Sequence, residues 1–167
     1  MHLNVEIKAR TTRHAEIRAY LRTQGADFRG TDRQTDTYFV CPNGRLKLRQ
    51  GTIENTLIHY ERPDQAGPKP SVVRMYHPQD SPALYDLLSS AVGVWKEVRK
   101  SREIYFIANV KFHLDEVAGL GQFVEIEAID HDHSLGQAYI EAQCQAYMTA
   151  LGIQPEDLLT QSYSDMI

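Results

Sequence analysis

Gln122-Phe123-Val124-Glu125-Ile126-Glu127-Ala128-Ile129-Asp130 is the stretch on which the fold turns. Val124, Ile126 and Ala128 take one side of a period-two pattern, and Phe123, Glu125, Glu127 and Ile129 take the other. Successive side chains of a strand point to opposite faces, so the pattern predicts a strand with one aliphatic face and one face carrying two carboxylates. The same alternation runs through residues 3–10, where Leu3, Val5 and Ile7 oppose Asn4, Glu6, Lys8 and Arg10. It recurs at 45–50, where Leu46 and Leu48 oppose Arg45, Lys47 and Arg49, and at 96–102, whose polar face holds Lys96, Lys100 and Arg102.

Further strands are predicted over 34–41, 53–62, 71–77, 94–108 and 109–117, separated by turn signals such as Pro42-Asn43-Gly44 and Gly119-Leu120-Gly121. Helices are predicted over 13–25, over 81–93 with Ser81 as N-cap, and from Ser134 to about Leu151, with a short one at 155–159. About eight short strands in antiparallel succession with three or four helices make an α+β protein, and eight strands can close a barrel around one small ligand. The 63–70 loop is too short to be a domain linker, and one domain over 1–167 is expected.

With 42% hydrophobic and 24% charged residues the chain can bury a core, which excludes a disordered or disulfide-stapled class. No apolar run approaches a membrane span, the first residues are charged where a signal peptide needs an apolar stretch, and the two cysteines suit no zinc spacing. A cytoplasmic protein away from membranes is expected. The net charge of −4 conceals a segregation. All 18 Lys and Arg lie in residues 1–111 against 12 acids, and residues 112–167 hold 10 acids and no Lys or Arg.

A single polar strand face ordinarily meets solvent. Here the charges come in blocks of one sign, which repel unless something of opposite sign sits against them. Helices covering the aliphatic faces would leave the polar faces to line a cavity. Glu6, Asp115, Glu125 and Glu127 are hard oxygen donors suited to Mg²⁺ or Mn²⁺, and the cations could grip several phosphates. A triphosphate with its metal needs both halves.

Several short motifs resemble the CYTH superfamily, also called triphosphate tunnel metalloenzymes. Asn4-Val5-Glu6-Ile7-Lys8 is similar to its ExExK signature, and Arg45-Leu46-Lys47-Leu48-Arg49 to its basic strand. Tyr60-Glu61-Arg62-Pro63 with Lys69 and Ser71, and Val98-Arg99-Lys100-Ser101-Arg102, also fit. His113-Leu114-Asp115-Glu116-Val117, Phe123-Val124-Glu125-Ile126-Glu127 and the tail Ser162-Tyr163-Ser164-Asp165 look like the class IV adenylyl cyclase branch. The resemblance implies a closed eight-stranded antiparallel tunnel. It implies triphosphate contacts from Lys8, Arg45, Lys47, Arg49, Arg62, Arg74, Lys100 and Arg102, catalytic roles for Lys8, Arg49, Lys100 and Arg102, and metal ligation by Glu6, Asp115, Glu125 and Glu127. Asn4 departs from the signature, which has an acid there, and puts a second metal site in doubt.

The expected activity is metal-dependent hydrolysis of an inorganic or organic triphosphate, or cyclisation of ATP to cyclic AMP. The alternative is a polyphosphate or nucleotide receptor without catalysis. A nucleic-acid-binding barrel is disfavoured by the negative net charge and by the lack of aromatic residues interleaved with basic ones. A homodimer would fit the adenylyl cyclase branch.

Overall fold

The computed structural model describes residues 1–167. Eight strands, β1 (His2–Arg10), β2 (Asp27–Phe39), β3 (Arg45–Gln50), β4 (Asn55–Glu61), β5 (Lys69–Tyr76), β6 (Val94–Ile107), β7 (Val110–Val117) and β8 (Gly121–Asp130), close into one barrel. All pairings are antiparallel, in the order β1-β5-β4-β3-β2-β6-β7-β8, and closure comes from β1 pairing with both β5 and β8. Three helices pack outside: α1 (His14–Thr23), α2 (Ser81–Ala91) and α3 (Gln137–Ala150). None is long and apolar enough to cross a membrane.

Alternation divides the core in two. The outward residues of β1, β7 and β8, among them Ile7, Phe112, Leu114 and Ile126, meet Ile17 and Leu21 of α1 and Ile140, Cys144 and Met148 of α3. A smaller apolar cluster lies inside the barrel at one end, where Tyr38, Val98, Val117 and Phe123 surround Tyr163 of the C-terminal 3₁₀ turn, Tyr163–Met166. Antiparallel succession places the β2–β3, β4–β5 and β7–β8 connections on this plugged rim. The β3–β4 loop and the β6–β7 turn lie on the opposite rim.

Several element ends differ from the sequence expectation. β2 begins at Asp27, well before residue 34, because β6 pairs with it from Phe106 onward and overrides the poor strand propensity of Asp27, Gly30 and Asp32. β4 begins at Asn55, so Ile53 and Glu54 belong to the preceding loop. Asp80 caps α2 in place of Ser81, its carboxylate accepting from the Ala83 N–H at 3.0 Å. α3 starts after Gly136, and Ser134 lies in the preceding bends.

Candidate functional site

The inward faces of the barrel make a lumen with about 750 Å³ of atom-free space, solvent at its mouth included. Seven cations line it: Lys8, Lys47, Arg49, Arg62, Lys100, Arg102 and Lys111. Four carboxylates, Glu6, Glu54, Glu125 and Glu127, line it with them. Strand parity explains the arrangement, since Lys47 and Arg49, Lys100 and Arg102, and Glu125 and Glu127 are each two apart.

Two buried acids behind the lining hold the cations in place. Asp36 on β2 is fully buried and receives Arg49 through a two-pronged contact, Nε and Nη2 each at 2.9 Å. Lys100 Nζ reaches the same carboxylate at 2.6 Å and Lys47 lies 3.7 Å away. Burial would raise the Asp36 carboxyl, but Arg49, Lys100 and Lys47 outweigh it and hold the group well below the usual range. Burial and the neighbouring Arg49 lower Lys47 to about 8, and burial together with Arg102 lowers Lys100 well below its ordinary value.

Asp115 is the second acid. Arg102 grips it through Nε at 2.7 Å and Nη2 at 2.6 Å, and the Tyr163 hydroxyl donates to it at 2.8 Å. Both oxygens are therefore engaged, and the residue is absent from the cavity lining. Asp115 faces inward behind Arg102, and of the four expected metal ligands it is the one set back from the lumen surface.

The remaining expected residues divide similarly. Lys8 lies 3.0 Å from Glu125 and 3.5 Å over the Tyr163 ring. Arg62 pairs with Glu6 and donates to Ser162. Arg45 sits at the plugged rim, bound to Asp165 at 3.0 Å, in a separate recess shared with Arg62 and Ser162. Arg74 lies apart from them. Lys69, Ser71 and Val73 are the buried alternation of β5, so Arg74 falls on the outer face and is exposed. Lys69 is the buried cation of that strand, lowered to about 8 by burial and by Arg62 and Lys8, and it donates to Thr160 O at 3.0 Å.

Asp36, Glu54 and Lys111 escaped the sequence reading as site residues. Asp36 shares a face with Gln34 and Tyr38, so the same alternation would have found it. Lys111 shares a face with His113, and its partner Glu54 is in a loop, where alternation says nothing. His113, fully buried, donates from Nδ1 to the Glu125 carboxylate at 2.8 Å, and its Nε2 has no partner. Burial and the Arg102 charge lower it to about 3, so it is a neutral ring.

At the β1–β8 seam Glu6 and Glu127 are directly opposite, and Lys8 opposes Glu125. Asn4 donates through its amide to Glu127, and its buried Oδ1 has no partner. No three acidic, His or Cys side chains converge on one point. The donors at this seam are nonetheless all oxygen, two carboxylates and an orphaned amide carbonyl, a set that fits Mg²⁺ or Mn²⁺ better than zinc.

The family model described as CYTH domain matches residues 2–163. Among solved structures, the PH1012 protein from Pyrococcus horikoshii OT3 is similar at 25% identity and a TM-score of 0.84, over 100% of this chain and 99% of that one. A proposed adenylate cyclase from Vibrio parahaemolyticus has 16% identity and a TM-score of 0.80, with 98% and 97% covered. HpAC1 from Hippeastrum, a proposed adenylyl cyclase described as having a dominant triphosphatase activity, has 14% identity and a TM-score of 0.64, with 99% and 93% covered. No curated protein matches the chain.

Proposed function

The chain belongs to the CYTH domain family, and on that premise we propose that residues 1–167 act as one unit that binds a triphosphate in the barrel lumen and transfers one of its phosphoryl or nucleotidyl groups with a divalent cation. The observation that carries this reading is the enclosed lining of seven cations and four carboxylates. Such crowding costs stability and is retained where a polyanion is to be held.

Arg102 and Arg49 offer planar forks already aimed by Asp115 and Asp36, so little orientation is lost when they meet phosphate oxygens. Lys8, Lys47 and Lys100 supply point charges to the spread charge of a transferring phosphoryl group. Lys47 and Lys100 have lowered pKa values, so an incoming polyanion favours their protonated forms. Tyr163 and its apolar neighbours close one rim and exclude water from that end. Glu6 and Glu127, with Glu125 beside them, would hold the Mg²⁺ or Mn²⁺, which supplies Lewis-acid polarisation of phosphoryl oxygen when bound.

Hydrolysis adds only a water, activated by a lining carboxylate or by the metal when bound, which would attack phosphorus as the leaving phosphate departs. Cyclisation also needs a nucleoside held so that its 3′-hydroxyl faces the α-phosphate, so hydrolysis is the first activity to test. Inorganic triphosphate, ATP and other organic triphosphates incubated with Mg²⁺ or Mn²⁺, with orthophosphate, pyrophosphate and cyclic nucleotide resolved as products, provide the assay. Turnover of at least one is expected, and binding of none would overturn the reading.

Asn4 favours a second reading, a triphosphate receptor with weak or no turnover, because a neutral carbonyl holds a dication less firmly than a carboxylate. Asn4→Glu is then expected to shift the Mn²⁺ activation curve to lower concentration. Superimposable curves would show that position 4 does not meet the metal.

A further inference from the structure

The loop joining β3 to β4 is folded inward onto Asp32, a fully buried carboxylate of β2. The N–H groups of Thr52, Ile53 and Glu54 donate to it at 2.7, 2.9 and 2.9 Å, and the Thr52 hydroxyl at 3.0 Å. Gly51 is required by the same packing, since a Cβ there would lie 2.6 Å from Asp32 Oδ1. Three consecutive backbone donors on one anion fix the loop as firmly as a helix cap fixes a helix end.

What the fixed loop presents to the lumen is the Glu54 carboxylate. Lys111 Nζ lies 2.6 Å from its Oε2 and Arg49 Nη1 3.4 Å from its Oε1, while the Gln34 amide donates to Oε1 at 3.1 Å. Arg49 comes from β3 and Lys111 from β7, strands separated by β2 and β6 in the barrel. Glu54 therefore spans the lumen near the rim opposite the Tyr163 plug. Met75, in the lining at that rim, is 47% exposed, against 2% for Tyr163. The open rim is the mouth, and Glu54 stands in it.

We propose that Glu54 is a specificity-determining residue, a fixed carboxylate that ends the run of phosphate-binding cations and sets the preferred length of the bound phosphate chain at three. The inference rests on the triphosphate reading of the lumen. A chain entering through the mouth places its far end among Lys8, Lys100 and Arg102, and each added phosphate extends back toward Glu54. Lys111, at the mouth, is already committed to Glu54 at 2.6 Å, and Arg49 beside it is turned to Asp36 through Nε and Nη2. A fourth phosphate finds Lys111 already paired and comes up against the Glu54 carboxylate itself in a partly desolvated site, where like charges repel strongly. An uncharged organic group bonded to the third phosphate meets no such repulsion.

The test is calorimetric binding of inorganic triphosphate and tetraphosphate, with matched Mg²⁺, to the wild type, Glu54→Gln and Lys111→Met. The amide can still accept from Lys111 and Gln34, so Glu54→Gln is expected to raise the tetraphosphate-to-triphosphate affinity ratio by about tenfold. Lys111→Met leaves Glu54 less neutralised and is expected to lower the ratio. A ratio unchanged in both variants, or both ligands shifted alike, would make Glu54 a structural counter-ion and overturn the inference. Should Glu54→Gln fail to fold, Lys111→Met decides alone by the same criterion. Wild type that binds neither ligand overturns the triphosphate reading as well, whereas wild type that binds triphosphate with an unmoved ratio overturns this inference only.

Discussion

The two faces of the barrel wall are written in the same strands and obey opposite rules. Outside, β1, β7 and β8 bury Ile7, Phe112, Leu114 and Ile126 under α1 and α3, with no charge among them. Inside, one residue along, the same strands carry Lys8, His113, Glu125 and Glu127. The outer face lowers the free energy of the fold, at about 1.5–3 kcal/mol for each large side chain removed from water. The inner face gathers charges at a desolvation cost that paired partners only partly offset. The contrast assigns stability to one face and ligand chemistry to the other, and it can be broken by mutation on either side.

The largest effect is expected outside. Phe112 is fully buried and its ring meets Tyr147 of α3 edge-on at 4.9 Å. Phe112→Ala is expected to cost about 3–5 kcal/mol, the usual range for an emptied aromatic site. Urea titration measures it. Triphosphate turnover per folded molecule should stay near wild type, and a specific loss of turnover would mean that the two faces are coupled.

A smaller free-energy change, visible mainly in activity, is expected inside. Glu125 contacts Lys8, Arg102 and His113, and burial is outweighed by Lys8 and Arg102 in holding its carboxyl well below the usual range. Glu125→Gln keeps the shape and removes the charge. Turnover should fall about ten- to hundredfold, with the urea midpoint moved far less than in Phe112→Ala. A stability loss equal to that of Phe112→Ala would show that the inner carboxylate is structural.

The contrast also explains what the sequence could show. The alternations of β1, β3 and β8 are strict, so the outer aliphatic face and most of the inner charges are legible from residue order. Asp36 was within reach of the same rule. Arg74 rested on the resemblance alone, and Val72, Val73, Met75 and Tyr76 around it give β5 no polar-apolar alternation to orient it. Asp115 is on the expected face, but what its oxygens bind depends on Arg102 and on Tyr163, which is 48 residues away. Glu54 is invisible to periodicity, since its position comes from a loop folded onto Asp32. The first half of β2 is hidden by Gly30 and its acids, and only pairing with β6 makes it a strand.

The smallest effect concerns the inner face without ligand. Lys47 is held at about 8, against 10.5 for a free lysine, first by burial and then by Arg49. A lysine that is harder to protonate in the folded chain than in the unfolded chain opposes folding wherever the unfolded chain keeps the extra proton. The full penalty is present below pH 8, and stability recovers as pH rises from about 8 toward 10.5. Lys47→Met keeps the aliphatic stem and removes the titration, while Arg49 and Lys100 continue to neutralise Asp36. The ligand-free variant should therefore be more stable than wild type at pH 7 by on the order of 1 kcal/mol. The gap should narrow steadily between pH 8 and 10. Thermal melts of both proteins across that range provide the measurement. A variant less stable than wild type at pH 7, or a gap that does not change with pH, would mean that Lys47 stabilises the barrel through Asp36, and the division between the two faces would then fail at this residue.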